Sequence, residues 1–93
     1  MAFDWPDAAS RLLKAEIARE GVTLARLAAR LTALGTRETE ASLKNKLYRG
    51  TFSMTFFMQA VRALGGGSID VSTVISPEVP RGSDLDPTEA SEG

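Results

Sequence analysis

Four glycines divide most of this chain into short amphipathic segments. Gly21, Gly35, Gly50 and Gly65 each follow a stretch of apolar residues at helical spacing. A glycine there reads as the left-handed residue that ends a helix. A chain punctuated this way is constrained to pack several short helices. From Pro6 to Glu20, Ala9, Leu13 and Ile17 recur every four residues. Pro6 suits a first turn, where its missing N–H costs nothing, with Asp4 or Trp5 before it. Asp7 favours the positive end of the helix dipole. Thr23 is a good N-cap for a second helix, Val22 can staple onto Leu27, and Leu24, Leu27, Ala28 and Leu31 form one face.

Thr36 and Thr39 are cap candidates for a third helix over Glu40–Arg49. Only Leu43 and Leu47 anchor it. Ser42, Asn45 and Arg49 point the other way, with Lys44 and Lys46 on the flanks. Ser53 caps a fourth helix, and Phe52 and Phe57 are placed for a hydrophobic staple. Its expected buried stripe is Phe57, Ala60, Val61 and Leu64. Met54, Phe56 and Met58 widen the apolar face beyond what one small body needs. After Gly65–Gly67, Ile69, Val71, Thr73 and Ile75 alternate in a strand pattern. The expected fold is mainly α: a compact four-helix domain over 1–65, a glycine linker and short C-terminal β-strand over 66–75, and an acidic tail over 76–93, disordered by composition.

The 93 residues contain neither cysteine nor histidine. Thiolate ligands, cysteine nucleophiles and the commonest general base are therefore excluded, so no catalytic set, metal site or cofactor is expected. No apolar run is long enough for a membrane span. The opening MAFDWPD lacks the basic region of a secretory signal, which points to the cytoplasm. Residues 1–65 hold ten Lys/Arg against six Asp/Glu, a charge of +4, whereas residues 66–93 hold one Arg against six acids, −5. A basic body permits a polyanionic partner.

A capped helix, a turn, and then an exposed basic helix is the layout that seats one helix in a DNA major groove. On this reading Asn45 is placed to contact adenine, and Lys44, Lys46 and Arg49 to reach guanine edges or phosphates. Thr39, Ser42 and Thr51 are placed for phosphate oxygens, and Arg26 and Arg37 extend the basic surface. Ala25, Ala28 and Ala29 would keep the second helix thin where the third crosses it. Asn45 could instead brace the turn at 36–39. Trp5 is expected to pack over the fourth helix, and Tyr48 to cover the core edge with its hydroxyl in reach of a phosphate.

The run GVTLARLAARL resembles the second helix of the lambda-repressor/Cro-like (XRE-type) helix-turn-helix superfamily. LYRGTFS followed by MQAVRALG resembles the end of its recognition helix, the glycine turn and the fourth helix. The chain is still more similar to a small bacterial family of unknown function with the pattern LLKAE…GVT…LA…ET…LKNK..RG.FS, matched over about residues 5–65. The superfamily resemblance implies a sequence-specific regulator of transcription that binds double-stranded DNA, often as a dimer, and hence sits on the nucleoid.

A homodimer also follows from two features of the chain. The strand at 69–75 has no second strand to pair with, and the fourth helix carries surplus apolar surface. Met54, Phe56, Met58, Ile69, Val71, Thr73 and Ile75 are the expected dimer residues. The alternative is a protein-interaction or accessory domain on the same scaffold, with a protein partner on that surface.

Overall fold

The computed structural model describes residues 3–75. Four helices follow in order: α1 (Trp5–Glu20), α2 (Leu24–Ala33), α3 (Glu40–Arg49) and α4 (Met54–Leu64). Each begins at a side-chain cap: Asp4, Thr23, Thr39 and Ser53 accept from the backbone N–H three residues on. The turn after α2 shows how its end is closed. Gly35 adopts φ +98°, its N–H donates to the Thr32 carbonyl, and Thr36 N–H donates to the Leu31 carbonyl. Orphan carbonyls of the last turn are thereby satisfied.

The helices pack pairwise, α1 and α2 each against both α3 and α4. Leu13, Leu27, Leu31 and Leu43 are fully buried at the centre, with Ile17, Leu47, Phe56, Ala60 and Leu64 around them. Each such Leu, Ile or Phe side chain contributes about 1.5–3 kcal/mol relative to exposure. Val22 and Phe52, the residues preceding the caps of α2 and α4, pack against this core. Phe52 stacks on Phe57 with centroids 6.3 Å apart and rings 5° from parallel, as the staple predicts.

The face of α4 is rotated from its expected register. Phe56, Ala60, Ala63 and Leu64 are buried, while Phe57 and Val61 are only half-buried. Two aromatics compete for the core here, and the one a residue earlier goes in. Phe56 is therefore a core residue and not an exposed dimer residue.

No strand occurs among the described residues. Val71–Thr73 instead forms a 3-10 turn capped by Asp70. Ser72 donates to the Asp70 carboxylate through its backbone N–H at 3.0 Å and its hydroxyl at 2.5 Å, and the Thr73 hydroxyl donates to the Asp70 carbonyl. These local bonds satisfy groups that a strand would offer to a neighbour, so the alternation of Ile69, Val71, Thr73 and Ile75 does not become a strand. The acidic segment 76–93 lies outside the described residues.

Candidate functional site

The exposed surface of α3 is set by how its ends are held. At its start Thr39 and Ser42 form a capping box: Ser42 N–H donates to Thr39 Oγ1 at 3.0 Å and Thr39 N–H donates to Ser42 Oγ at 2.8 Å. Glu38 lies just before the box with its side chain only 4% exposed. Ser42 Oγ donates to Glu38 Oε1 at 2.6 Å, and the Lys46 ammonium pairs with the other carboxylate oxygen. Thr32 of α2 completes the turn. Its hydroxyl donates to the Glu38 carbonyl and accepts from the Glu38 N–H. The connection 34–39 is thus fastened to both helices it joins.

The other end of α3 is clamped to α1. Ser10, itself buried, donates its hydroxyl to the Leu47 carbonyl at 2.6 Å. Gly50 sits at φ +66° against the Pro6 backbone, and a Cβ there would lie 2.0 Å from the Pro6 carbonyl oxygen. Only glycine permits that approach. It carries the start of α1 alongside the end of α3. Trp5 accordingly does not pack over α4. It is 58% exposed, its ring 4.4 Å from that of Phe3.

With Leu43 and Leu47 inward, the outward side of α3 is formed by Ala41, Lys44, Asn45, Tyr48 and Arg49, all exposed. Lys44 also lies 3.7 Å from Glu40 one turn earlier. Tyr48 is 87% exposed and does not cover the core edge. The side chains of the flanking helices that hydrogen-bond to the 34–39 turn are Thr32, Ser42 and Lys46, not Asn45.

The other expected DNA-contacting residues are dispersed. Ser42 and Lys46 are turned towards Glu38, and Lys46 also lies 4.7 Å from the centroid of the Phe56 ring. Thr39 is occupied as the α3 cap, while Thr51 is exposed in the α3–α4 connection and Arg37 in the turn before α3. On α2, Thr32 marks the flank nearest α3. Arg30 leaves the opposite flank, donating to the Ala63 carbonyl of α4 at 3.1 Å. Arg26, one turn before Arg30, shares that flank. Of the expected cations, Arg37, Lys44 and Arg49 thus lie about α3, whereas Arg26 lies on the α2–α4 side with Arg30 and Arg62. Of the four alanines of α2, only Ala28 is buried, and Ala25, Ala29 and Ala33 face solvent.

A second surface lies on α4. Met54 and Met58 are 70% and 64% exposed. With Phe57, Val61, Arg62, Gly66 and Ile69 they line an open, mostly apolar cleft of about 310 Å³. Of the other expected dimer residues, Val71 and Thr73 are exposed and Ile75 is half-buried.

Residues 5–69 match the family model described as Domain of unknown function (DUF6471). The chain belongs to this family. The DUF6471 match spans all four helices and the cleft residue Ile69, so both surfaces lie within the family domain. No curated protein and no solved structure matches the chain significantly. Among the described residues of this DUF6471 domain, no group of three or more His, Cys, Asp or Glu is gathered to hold a metal ion, and no helix is long and apolar enough to cross a membrane.

Two contributors escaped the sequence reading. Glu38 precedes α3, so helical spacing gave no sign of its pairing with Lys46. Ser10 lies on α1 with no motif to mark it, and the approach of α1 to α3 buries it.

Proposed function

We propose that this domain is a sequence-specific double-stranded DNA-binding regulator of the helix-turn-helix type, with α3 as the helix that enters the major groove. The observation that carries this reading is the outward side of α3. A ten-residue helix presents Lys44, Asn45 and Arg49 to solvent while both its ends are fastened to the rest of the domain. An exposed helix bearing an amide and cations fits a groove about 12 Å wide, with Asn45 suited to adenine and the cations to phosphates or guanine. Arg37 extends the same side, whereas Lys46 and Ser42 serve the turn that orients α3.

One α3 reads only a few base pairs, so two half-sites about 34–36 Å apart call for a homodimer. The α4 cleft with Met54 and Met58 is the surface for it, without any pairing of strands. Genome-wide immunoprecipitation of the tagged protein tests the reading. It predicts discrete peaks sharing a sequence motif, and a uniform background would refute it.

A protein-interaction module is the second reading. The exposed methionines of α4 and the position of Arg26 and Arg30 away from α3 favour it. Recovery of a stoichiometric protein partner that protects Met54 and Met58, with no DNA peaks, would select it.

A further inference from the structure

Among the described residues Tyr48 is the most exposed large hydrophobic side chain, at 87%, and it lies on the side of α3 that faces away from the core. At roughly 100° per residue, the direction opposite the buried Leu43 and Leu47 and the half-buried Ser42 and Lys46 falls between Tyr48, Ala41 and Asn45. Tyr48 is three residues from Asn45 and seven from Ala41, so the three share a ridge along the helix. Lys44 and Arg49 stand on either edge of that ridge. An ordinary solvated helix face carries its charges at the centre. Here the centre is apolar and amide, and the charges are at the rim.

That order matches the floor and walls of a major groove. Phosphates line the walls, and the floor offers one apolar group, the 5-methyl of thymine, beside the adenine N6 and N7 edge. We propose that Tyr48 is a specificity-determining residue whose ring covers a thymine methyl, next to an adenine held by Asn45. Ala41 lines the same ridge two turns earlier and leaves room for the base edge. The inference rests on the DNA-binding reading and deepens it by naming the bases: an A·T step lies under the C-terminal half of α3. The aromatic ring, and not the hydroxyl, carries the contact.

The test uses the full chain. A random duplex library is selected against it, and the enriched duplex is remade with deoxyuridine in place of each thymidine in turn, which removes only the methyl. Affinity is expected to fall about fourfold at one thymine, the value of one buried methylene-sized group. Tyr48→Phe retains that methyl dependence, whereas Tyr48→Ser binds the thymidine and deoxyuridine duplexes equally. An enriched duplex indifferent to every methyl overturns the inference while leaving the DNA-binding reading standing. Loss of the methyl effect in Tyr48→Phe overturns the role of the ring. Failure of any duplex to be enriched overturns both. The deoxyuridine series on the unaltered protein decides the matter even if a variant fails to fold.

Discussion

Lys46 closes on Glu38 across the turn that joins α2 to α3, and its ammonium also lies over the Phe56 ring of α4, 4.7 Å from the centroid. A residue that looks like one more cation of a DNA-facing helix thus ties three elements together. Glu38 is buried, with Ser42 and Lys46 on its two oxygens. Satisfying both matters, because an unpartnered buried carboxylate is costly.

Lys46→Ala should destabilise the fold. It leaves the Glu38 carboxylate buried without its cation. Lys46 is itself partly exposed, so the expected cost is about 2–3 kcal/mol, below the full value for a buried pair. Urea unfolding measures it. Lys44→Ala, at an exposed pair, should change stability by less than about 1 kcal/mol. Equal effects of the two substitutions would remove Lys46 from its structural role.

Gly50 and Gly35 both sit at positive φ, yet their substitutions should differ. Nothing lies within 4 Å of a Cβ on Gly35, so Gly35→Ala carries only the left-handed backbone penalty of about 1–2 kcal/mol. Gly50→Ala adds a collision with the Pro6 backbone and requires the start of α1 to move. Its loss should exceed that of Gly35→Ala by a clear margin in thermal melts, and similar melting points would contradict the close approach.

The two kinds of apolar residue on α4 should also separate. Phe56→Ala creates a cavity in the core and should cost about 3–5 kcal/mol. Met54→Ala with Met58→Ala should leave melting of the monomer nearly unchanged and abolish the homodimer. Light scattering at tens of micromolar is expected to give twice the 9.9 kDa chain mass for the unaltered protein and the chain mass for the double variant. An unaltered protein that is monomeric there would defeat the dimer.

Hydrogen bonds from the Ser72 hydroxyl and backbone N–H hold the Asp70 carboxyl below its ordinary value of 3.8. A carboxyl so lowered stabilises the turn above that ordinary value and ceases to do so as pH falls through the lowered one. Amide resonances of residues 71–74 should therefore move towards unstructured positions on acidification below 3.8. In Asp70→Asn the turn should lose this pH response.

Much of the fold was readable because its signals are local. A cap and a following apolar period define each helix, and Thr23, Thr39 and Ser53 behave as those signals require. What failed depended on competition. Phe56 and Phe57 are adjacent and equally apolar, so helix periodicity alone did not choose the inward one. The alternation of 69–75 was real, but Asp70 and Ser72 offered the backbone a nearer set of partners. The outward side of α3 was readable at Asn45 and Arg49. Its flanks were not, since the roles of Ser42 and Lys46 depend on Glu38, a residue outside the helix. Tyr48 was misread because an aromatic normally signals burial, and nothing in the chain says that no core remains for it to cover.

Salt and substitution should act together at the DNA surface. The logarithm of the affinity for duplex DNA should fall linearly with the logarithm of salt concentration, and Lys44→Ala or Arg49→Ala should reduce that slope by about one phosphate each. Asn45→Ala should cost about 1–3 kcal/mol on a preferred site and little on other duplexes. Fluorescence anisotropy reads both. Arg81→Ala, outside the described residues, should have no effect.

The proposed DNA-binding surface is the outward side of α3. Titration of duplex DNA into the isotope-labelled full chain, followed by backbone amide resonances, tests it most directly. The resonances of Ala41, Lys44, Asn45, Tyr48 and Arg49 are expected to shift first and furthest, while those of Met54 and Met58 stay in place. Shifts centred on α4 or on the Arg26–Arg30 flank of α2, or no shifts at low salt, would contradict it.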